Sequence, residues 1–249
     1  MDQLILRNLQ GDASALGLNR IAWLSSMRDG LLGEYVLTRN NASAKLNPAS
    51  AFAPQLSVVG VPDYGASIFA GAGLSQNNWY DTNLRDTQEL TLAVAFKAPA
   101  GQSVLIGNFR GDNIPTNTSL LLQAGGVSGL VPATDGAQST DAVAVDASTA
   151  WTIAMLRATG SANFTIKVDL YRAGVRLGGL TKATGKTRLV DTTHSFAIGS
   201  ARGTAGAGTY NGSARYLLAS VYGRAASDAE ALQLAREYSL FGRACGVEL

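Results

Sequence analysis

The run Gln76-Asn77-Asn78-Trp79-Tyr80-Asp81 is the densest cluster of ligand-type side chains in this chain. An exposed aromatic ring stacks on the apolar face of a sugar, and amides beside it exchange hydrogen bonds with ring hydroxyls. Trp79, Tyr80, Asn77 and Asn78 are therefore candidate glycan contacts. Trp79 serves as a platform if its ring reaches solvent and as a core aromatic if it does not. Tyr210 and Asn211 form a second, smaller pairing of the same kind. A basic stretch follows a different chemistry: Arg172, Arg176, Lys182, Lys186 and Arg188 occur with no acid among them. Such a stretch attracts phosphorylated or acidic partners, or it protects a solvated hairpin edge.

Other chemistries find little support. His194 is the only histidine and Cys245 the only cysteine, too few for a tetrahedral zinc site. His194 lies in Asp191-Thr192-Thr193-His194-Ser195 with no Gly-x-Ser-x-Gly elbow to supply a nucleophile, so a surface turn is its expected place. Gly-rich phosphate loops of the dinucleotide or Walker type are absent, which removes the warrant for nucleotide binding. Net charge is +2, with 20 Lys and Arg against 18 Asp and Glu, so nucleic acid is not an expected partner. One cysteine forms no intrachain disulfide, and Cys245 reads as a small apolar packer. Met1-Asp2-Gln3-Leu4 has no basic, apolar leader, and no apolar run reaches the roughly 18 residues of a membrane span. Synthesis in a cytoplasm without membrane insertion is the expectation.

The elements that would position these residues are mostly strands. Leu90, Leu92, Val94 and Phe96 alternate with Thr91, Ala93, Ala95 and Lys97; Phe164, Ile166, Val168 and Leu170 alternate with Thr165, Lys167, Asp169 and Tyr171. That period of two predicts half-buried strands. Further strands are expected at 33–37, 104–109, 119–123, 151–156, 195–198 and 216–222, separated by Gly, Asn, Asp and Pro clusters. Ser227 and Glu230 have the spacing of a capping box, and Ala231, Leu234, Ala235 and Tyr238 recur on one face, which predicts a terminal helix over 227–241. With 249 residues, 46% of them hydrophobic, a single all-β domain is the natural size. Residues 1–29 lack strand alternation and carry Leu16, Leu18, Ile21, Trp23 and Leu24. They read as an arm that packs back on its own domain or inserts into a neighbouring subunit, ahead of a sandwich over 30–249.

Gly30–Leu37, the Leu90–Lys97 strand with Val104-Leu105-Ile106-Gly107, the tryptophan-led Trp151–Ala154 strand, Val168–Gly174, Ser195–Gly199 and the strand-to-capped-helix tail together resemble concanavalin A-like (laminin-G-like) lectin and glucanase domains. The sequence departs from that pattern at Ala173, where a hairpin Asn is usual, and at Ala226, where a leucine commonly precedes the capping serine. The resemblance implies an all-β jelly-roll sandwich of two antiparallel sheets with an N-terminal arm and one C-terminal helix. It also implies a surface-binding role more readily than catalysis, because the Glu-x-Asp-x-x-Glu signature of the glycosidases on this fold is missing. Lectin-like sandwiches sometimes hold calcium in rim loops, and Asp112, Asp135 and Asp141 are the side chains such a site would use; Asp is equally an ordinary turn residue. No other cofactor is expected. The apolar arm, the missing leader and the absence of disulfides point to a bacteriophage-type virion protein, a decoration or tail accessory module. Its partners would be other virion proteins and copies of itself, with surface glycans as a further ligand. A soluble carbohydrate-binding lectin is the alternative, and a divergent polysaccharide hydrolase a more distant one.

Overall fold

A computed structural model describes residues 25–37, 53–65, 70–110, 117–144, 150–202 and 208–249. Two antiparallel sheets face each other. The first contains β1 (Leu31–Val36), β3 (Ala72–Leu74), β5 (Leu90–Ala100), β11 (Trp151–Thr159), β12 (Thr165–Arg172), β13 (Val175–Ala183) and β15 (Ser213–Tyr222), in the order β1-β15-β5-β11-β12-β13, with β3 also pairing β15. The second contains β2 (Ser57–Val59), β4 (Trp79–Arg85), β6 (Ser103–Gly107), β7 (Ser119–Gln123), β8 (Gly126–Val131), β9 (Gln138–Ser139), β10 (Val143–Ala144) and β14 (Ser195–Ile198). Its order is β10-β8-β7-β6-β14-β4-β2, with β9 against β8. The C-terminal helix, α1 (Asp228–Ala244), lies on the first sheet. This is the all-β sandwich the alternation predicts, with the jelly-roll architecture the resemblance implies.

The period of two explains the main core. Leu90, Leu92, Val94 and Phe96 of β5 point between the sheets and share one core with Ile166, Val168 and Leu170 of β12, Tyr216, Ala219 and Val221 of β15, and Leu105, Ile106, Leu120 and Val131 of the facing sheet. The outward side of β5 departs from the half-buried expectation, because α1 covers it. Thr91, Ala93 and Ala95 are fully buried, and the small alanines let the helix approach the sheet. Ala231, Leu234, Ala235 and Tyr238 form the helix face against them, as their spacing requires. Ser227 caps the helix: its hydroxyl accepts from the Glu230 N–H while Glu230 accepts from the Ser227 N–H. The helix continues three residues past the predicted end, and the chain then docks back. Leu249 is buried, and its backbone oxygen accepts from the Ser239 hydroxyl (2.9 Å) and the Ala173 N–H.

Three departures concern local signals. The Ala173-Gly174 turn adopts positive φ at both positions (51° and 72°), the geometry usually given to Asn-Gly. Strands β2, β3, β9 and β10 are only two or three residues long and β8 carries two glycines, so alternation does not announce them. Residues 25–29 join the sandwich: Ser25 and Met27 are buried, and Glu237 of α1 accepts hydrogen bonds from Ser25 and Ser26. Leu16, Leu18, Ile21, Trp23 and Leu24 lie outside the described residues.

Candidate functional site

Strand β4 alternates cleanly. Tyr80, Thr82 and Leu84 turn inward, while Trp79, Asp81 and Arg85 face away from the core. Two long-range straps then shape the surface around Trp79. The first is Gln76, whose Oε1 accepts from the Ala201 N–H (3.1 Å) and the Ser200 hydroxyl (3.2 Å) while its Nε2 donates to the Ala201 carbonyl. The second is a turn at Gly199, which has φ +85° and whose added Cβ would lie 2.5 Å from Leu74 Cβ; only glycine lets the chain bend there. Together they fold residues 200–202 back over the sheet.

The result is a stacked pair. The Arg202 guanidinium carbon lies 5.0 Å from the Trp79 ring centroid. Its Nη2 donates to Ser195 Oγ (2.9 Å) and pairs with the Asp81 carboxylate, and Ser195 Oγ in turn donates to Asp81 Oδ1 (2.7 Å). A guanidinium over an indole contributes about 0.5–2 kcal/mol, depending on its desolvation. Arg202 therefore holds the indole upright and occupies one side of it. The tryptophan remains half-buried, neither a core residue nor a free-standing one, and the exposed Asn77 stands two positions before it.

The other candidates separate. Asn78 is half-buried and its Oδ1 accepts from the Val61 N–H (2.8 Å), so it fixes the loop beside Trp79. Tyr80 is not a surface residue: its ring is fully buried and its hydroxyl bonds that of Tyr64. Inward alternation of β4 is the reason. Tyr210 packs edge-on to Phe109 (centroids 4.9 Å apart, planes at 73°) and accepts from Gln123 Nε2 (3.2 Å). Because the Phe109 carbonyl accepts from the Arg202 N–H (2.8 Å), Tyr210 and Trp79 border the same folded-back segment. Sequence reading missed Arg202, Asp81 and Ser195 as a network, and no local spacing connects residues so far apart.

The basic stretch does not form one patch. Arg188 is fully buried against Asp86 (2.6 Å) and is no surface charge. Arg176 pairs with Asp169, Lys186 with Asp135, Lys182 donates to the Ser139 carbonyl and Arg172 to the Trp151 carbonyl. Asp135 thus answers a lysine, Asp141 is an exposed loop residue, and Asp112 lies outside the described residues. Among the described residues no group of three or more His, Cys, Asp or Glu is gathered as metal ligands. His194 engages both ring nitrogens, Nδ1 with Asp191 (2.8 Å) and Nε2 with Arg110 (2.6 Å). Burial pushes the Asp191 carboxyl up, but hydrogen bonds from His194 and Thr193 outweigh it and hold the group below its usual range. Burial raises the Cys245 thiol to about 12, which leaves it unreactive as a thiolate.

No protein-family model and no curated protein matches this chain. Solved structures do. The binding domain of Paraclostridial Mosquitocidal Protein 1 superposes with a TM-score of 0.61 at 13% identity, over 85% of this chain and 53% of that one. The botulinum neurotoxin type G receptor binding domain gives 0.60 at 6% identity, over 85% and 52%. The botulinum neurotoxin serotype D binding domain gives 0.57 at 11%, over 86% and 52%. This chain spans about half the length of the structures it matches. At these identities the likeness establishes a shared sandwich fold.

Proposed function

We propose that the chain is a non-catalytic, carbohydrate-binding sandwich carried by a bacteriophage-type virion as a decoration or tail accessory module. The observation that carries the binding part is the half-buried Trp79, held outward on β4 by the Arg202 stack with exposed Asn77 beside it. A fixed indole offers stacking area without the entropy cost of ordering a mobile ring. The toxin binding domains with the same fold are binding modules by name, which favours recognition over catalysis as an analogy of fold alone. The virion part rests on the apolar run around Leu16, Leu18 and Trp23, which precedes Ser25 in the sequence.

Two experiments test these parts separately. On a glycan array, Trp79→Ala is expected to lose retention at least tenfold while the protein stays folded, its melting temperature lowered by only a few degrees through loss of the Arg202 stack. Equal retention by the variant and the parent overturns the glycan platform. Removal of residues 1–24 leaves the Ser25 and Ser26 contacts to Glu34 and Glu237 in place, so the sandwich is expected to stay folded while incorporation into particles is lost. Normal incorporation of the shortened chain overturns the virion role.

A further inference from the structure

A second concave site lies across the Ser75–Asn78 turn from Trp79. It is a cleft of about 430 Å³, bounded by Asp63, Gly73, Asn78, Lys97, Ser213 and Arg215. That volume lies within the range of small-molecule sites. Three features distinguish it from an ordinary surface groove.

The first is its charge. Arg215 Nη2 lies 2.7 Å from Asp63 Oδ2, so this pair is neutral as a unit. Hydrogen bonding from the Gly65 N–H, aided by Arg215, keeps the Asp63 carboxyl below its ordinary value, and it stays ionised in the pair. Lys97 is the remaining charge of the cleft. It is half-buried and makes no ion pair or hydrogen bond among the described residues. A half-buried ammonium without a counter-charge among the described residues favours an anion that supplies one.

The second is the floor. Gly73 contributes no side chain, and a Cβ there would lie 3.0 Å from the Asp63 carbonyl oxygen and 3.4 Å from its Oδ2. Any larger residue fills the space beside the carboxylate. The third is unspent hydrogen-bonding capacity. Asn78 Nδ2 has only a 3.5 Å contact to Ser75 Oγ, and the exposed Ser213 adds a hydroxyl. Those groups, with the Asp63 carboxylate as acceptor, match a ligand rich in hydroxyls.

We infer that this cleft binds a small hydroxylated monocarboxylate of the uronic-acid class. Its carboxylate sits on Lys97, and its hydroxyls meet Asp63, Asn78 and Ser213. The site is independent of the Trp79 platform.

The test is calorimetric titration of the whole chain with glucuronate, glucose and sulfate at low salt. Glucuronate is expected to bind at least tenfold more tightly than either of the others, since glucose lacks the charge and sulfate the ring hydroxyls. Lys97→Gln is expected to weaken glucuronate at least tenfold, and Lys97→Arg to retain most of it. Gly73→Val, which fills the floor, is expected to abolish it. Trp79→Ala should leave it unchanged, which separates this site from the platform. Each variant is checked by thermal melting, so that a loss is read only from folded protein. No glucuronate binding by the parent chain, equal binding of glucose, equal binding of sulfate, or an unaltered Lys97→Gln variant each overturns the inference.

Discussion

Glu34 is a carboxylic acid placed where an apolar residue would be expected, on the outward side of β1 beneath α1. It is fully buried, and burial lifts its carboxyl from 4.5 to about 8; the Ser25 N–H, which donates at 2.9 Å, and Arg28 offset this only in part, while Glu237 adds to it. Between 4.5 and about 8 the folded chain holds a proton on Glu34 that the unfolded chain has released. Stability from this residue is therefore complete below the lower value and falls as pH rises through the window, by on the order of 1.4 kcal/mol per pH unit. Urea denaturation across that window should show the decline, and Glu34→Gln should flatten it. An unchanged slope in the variant would assign the decline to other groups. Arg188 and Asp86 pose the opposite case, a wholly buried ion pair in which the guanidinium also donates to the Thr87 and Gln88 carbonyls. Arg188→Met leaves an uncompensated charge and is expected to cost about 3–5 kcal/mol, read as a lower denaturation midpoint. Neither role was legible from sequence. Arg188 looked like one member of a basic run because burial is decided by the strand opposite, not by neighbours in the chain.

At the level of elements, local signals worked where they were complete. The Ser227–Glu230 box and the Ala231, Leu234, Ala235, Tyr238 spacing specify α1 without reference to the rest of the chain. Strands β7 and β14 fall where the apolar runs place them. The β12–β13 hairpin shows a local rule overridden. Ala173 at φ 51° is strained by its Cβ, yet the ladder on both sides and the docked Leu249 hold the turn. Ala173→Gly is accordingly expected to stabilise the protein by about 1 kcal/mol, visible as a rise in melting temperature. A fall would mean that the alanine methyl makes a packing contact worth more than the strain. The candidate site stands between these cases. Its aromatic and amides are adjacent in sequence and were readable, whereas the Arg202 stack needs the turn at Gly199 and the Gln76 strap.

For the whole molecule, the closeness of the two sheets depends on positions without side chains. A Cβ on Gly129 of β8 would lie 2.7 Å from both Leu156 Cδ1 of β11 and Val168 Cγ2 of β12. Gly129→Ala is expected to overpack the core and cost about 1–3 kcal/mol, with a lower urea midpoint and an unchanged m-value. An unaffected midpoint would show that the sheets yield freely at this point. The outward surfaces behave differently on the two sheets. On the first, α1 covers β5, β11 and β15, while the second carries residues 200–202, folded back from Gly199 against Trp79 and Phe109. Stacking chemistry is therefore expected on the second, where aromatic rings remain half-exposed, whereas the Lys97 cleft draws on β3, β5 and β15 of the first.

Sequence alone determined the all-β class, the long strands of the first sheet other than β13, and the capped helix, because alternation, turn residues and caps act between near neighbours. It also located the aromatic and amide cluster, since those groups are contiguous. Only the tertiary structure decided which face of β4 looks outward, that Arg202 stacks on Trp79, that Arg188 is buried and that Lys97 has no counter-charge among the described residues. Each of these depends on strand register and on loops meeting from distant parts of the chain. Burial and electrostatic pairing are properties of that meeting, and no pattern along the sequence encodes them locally.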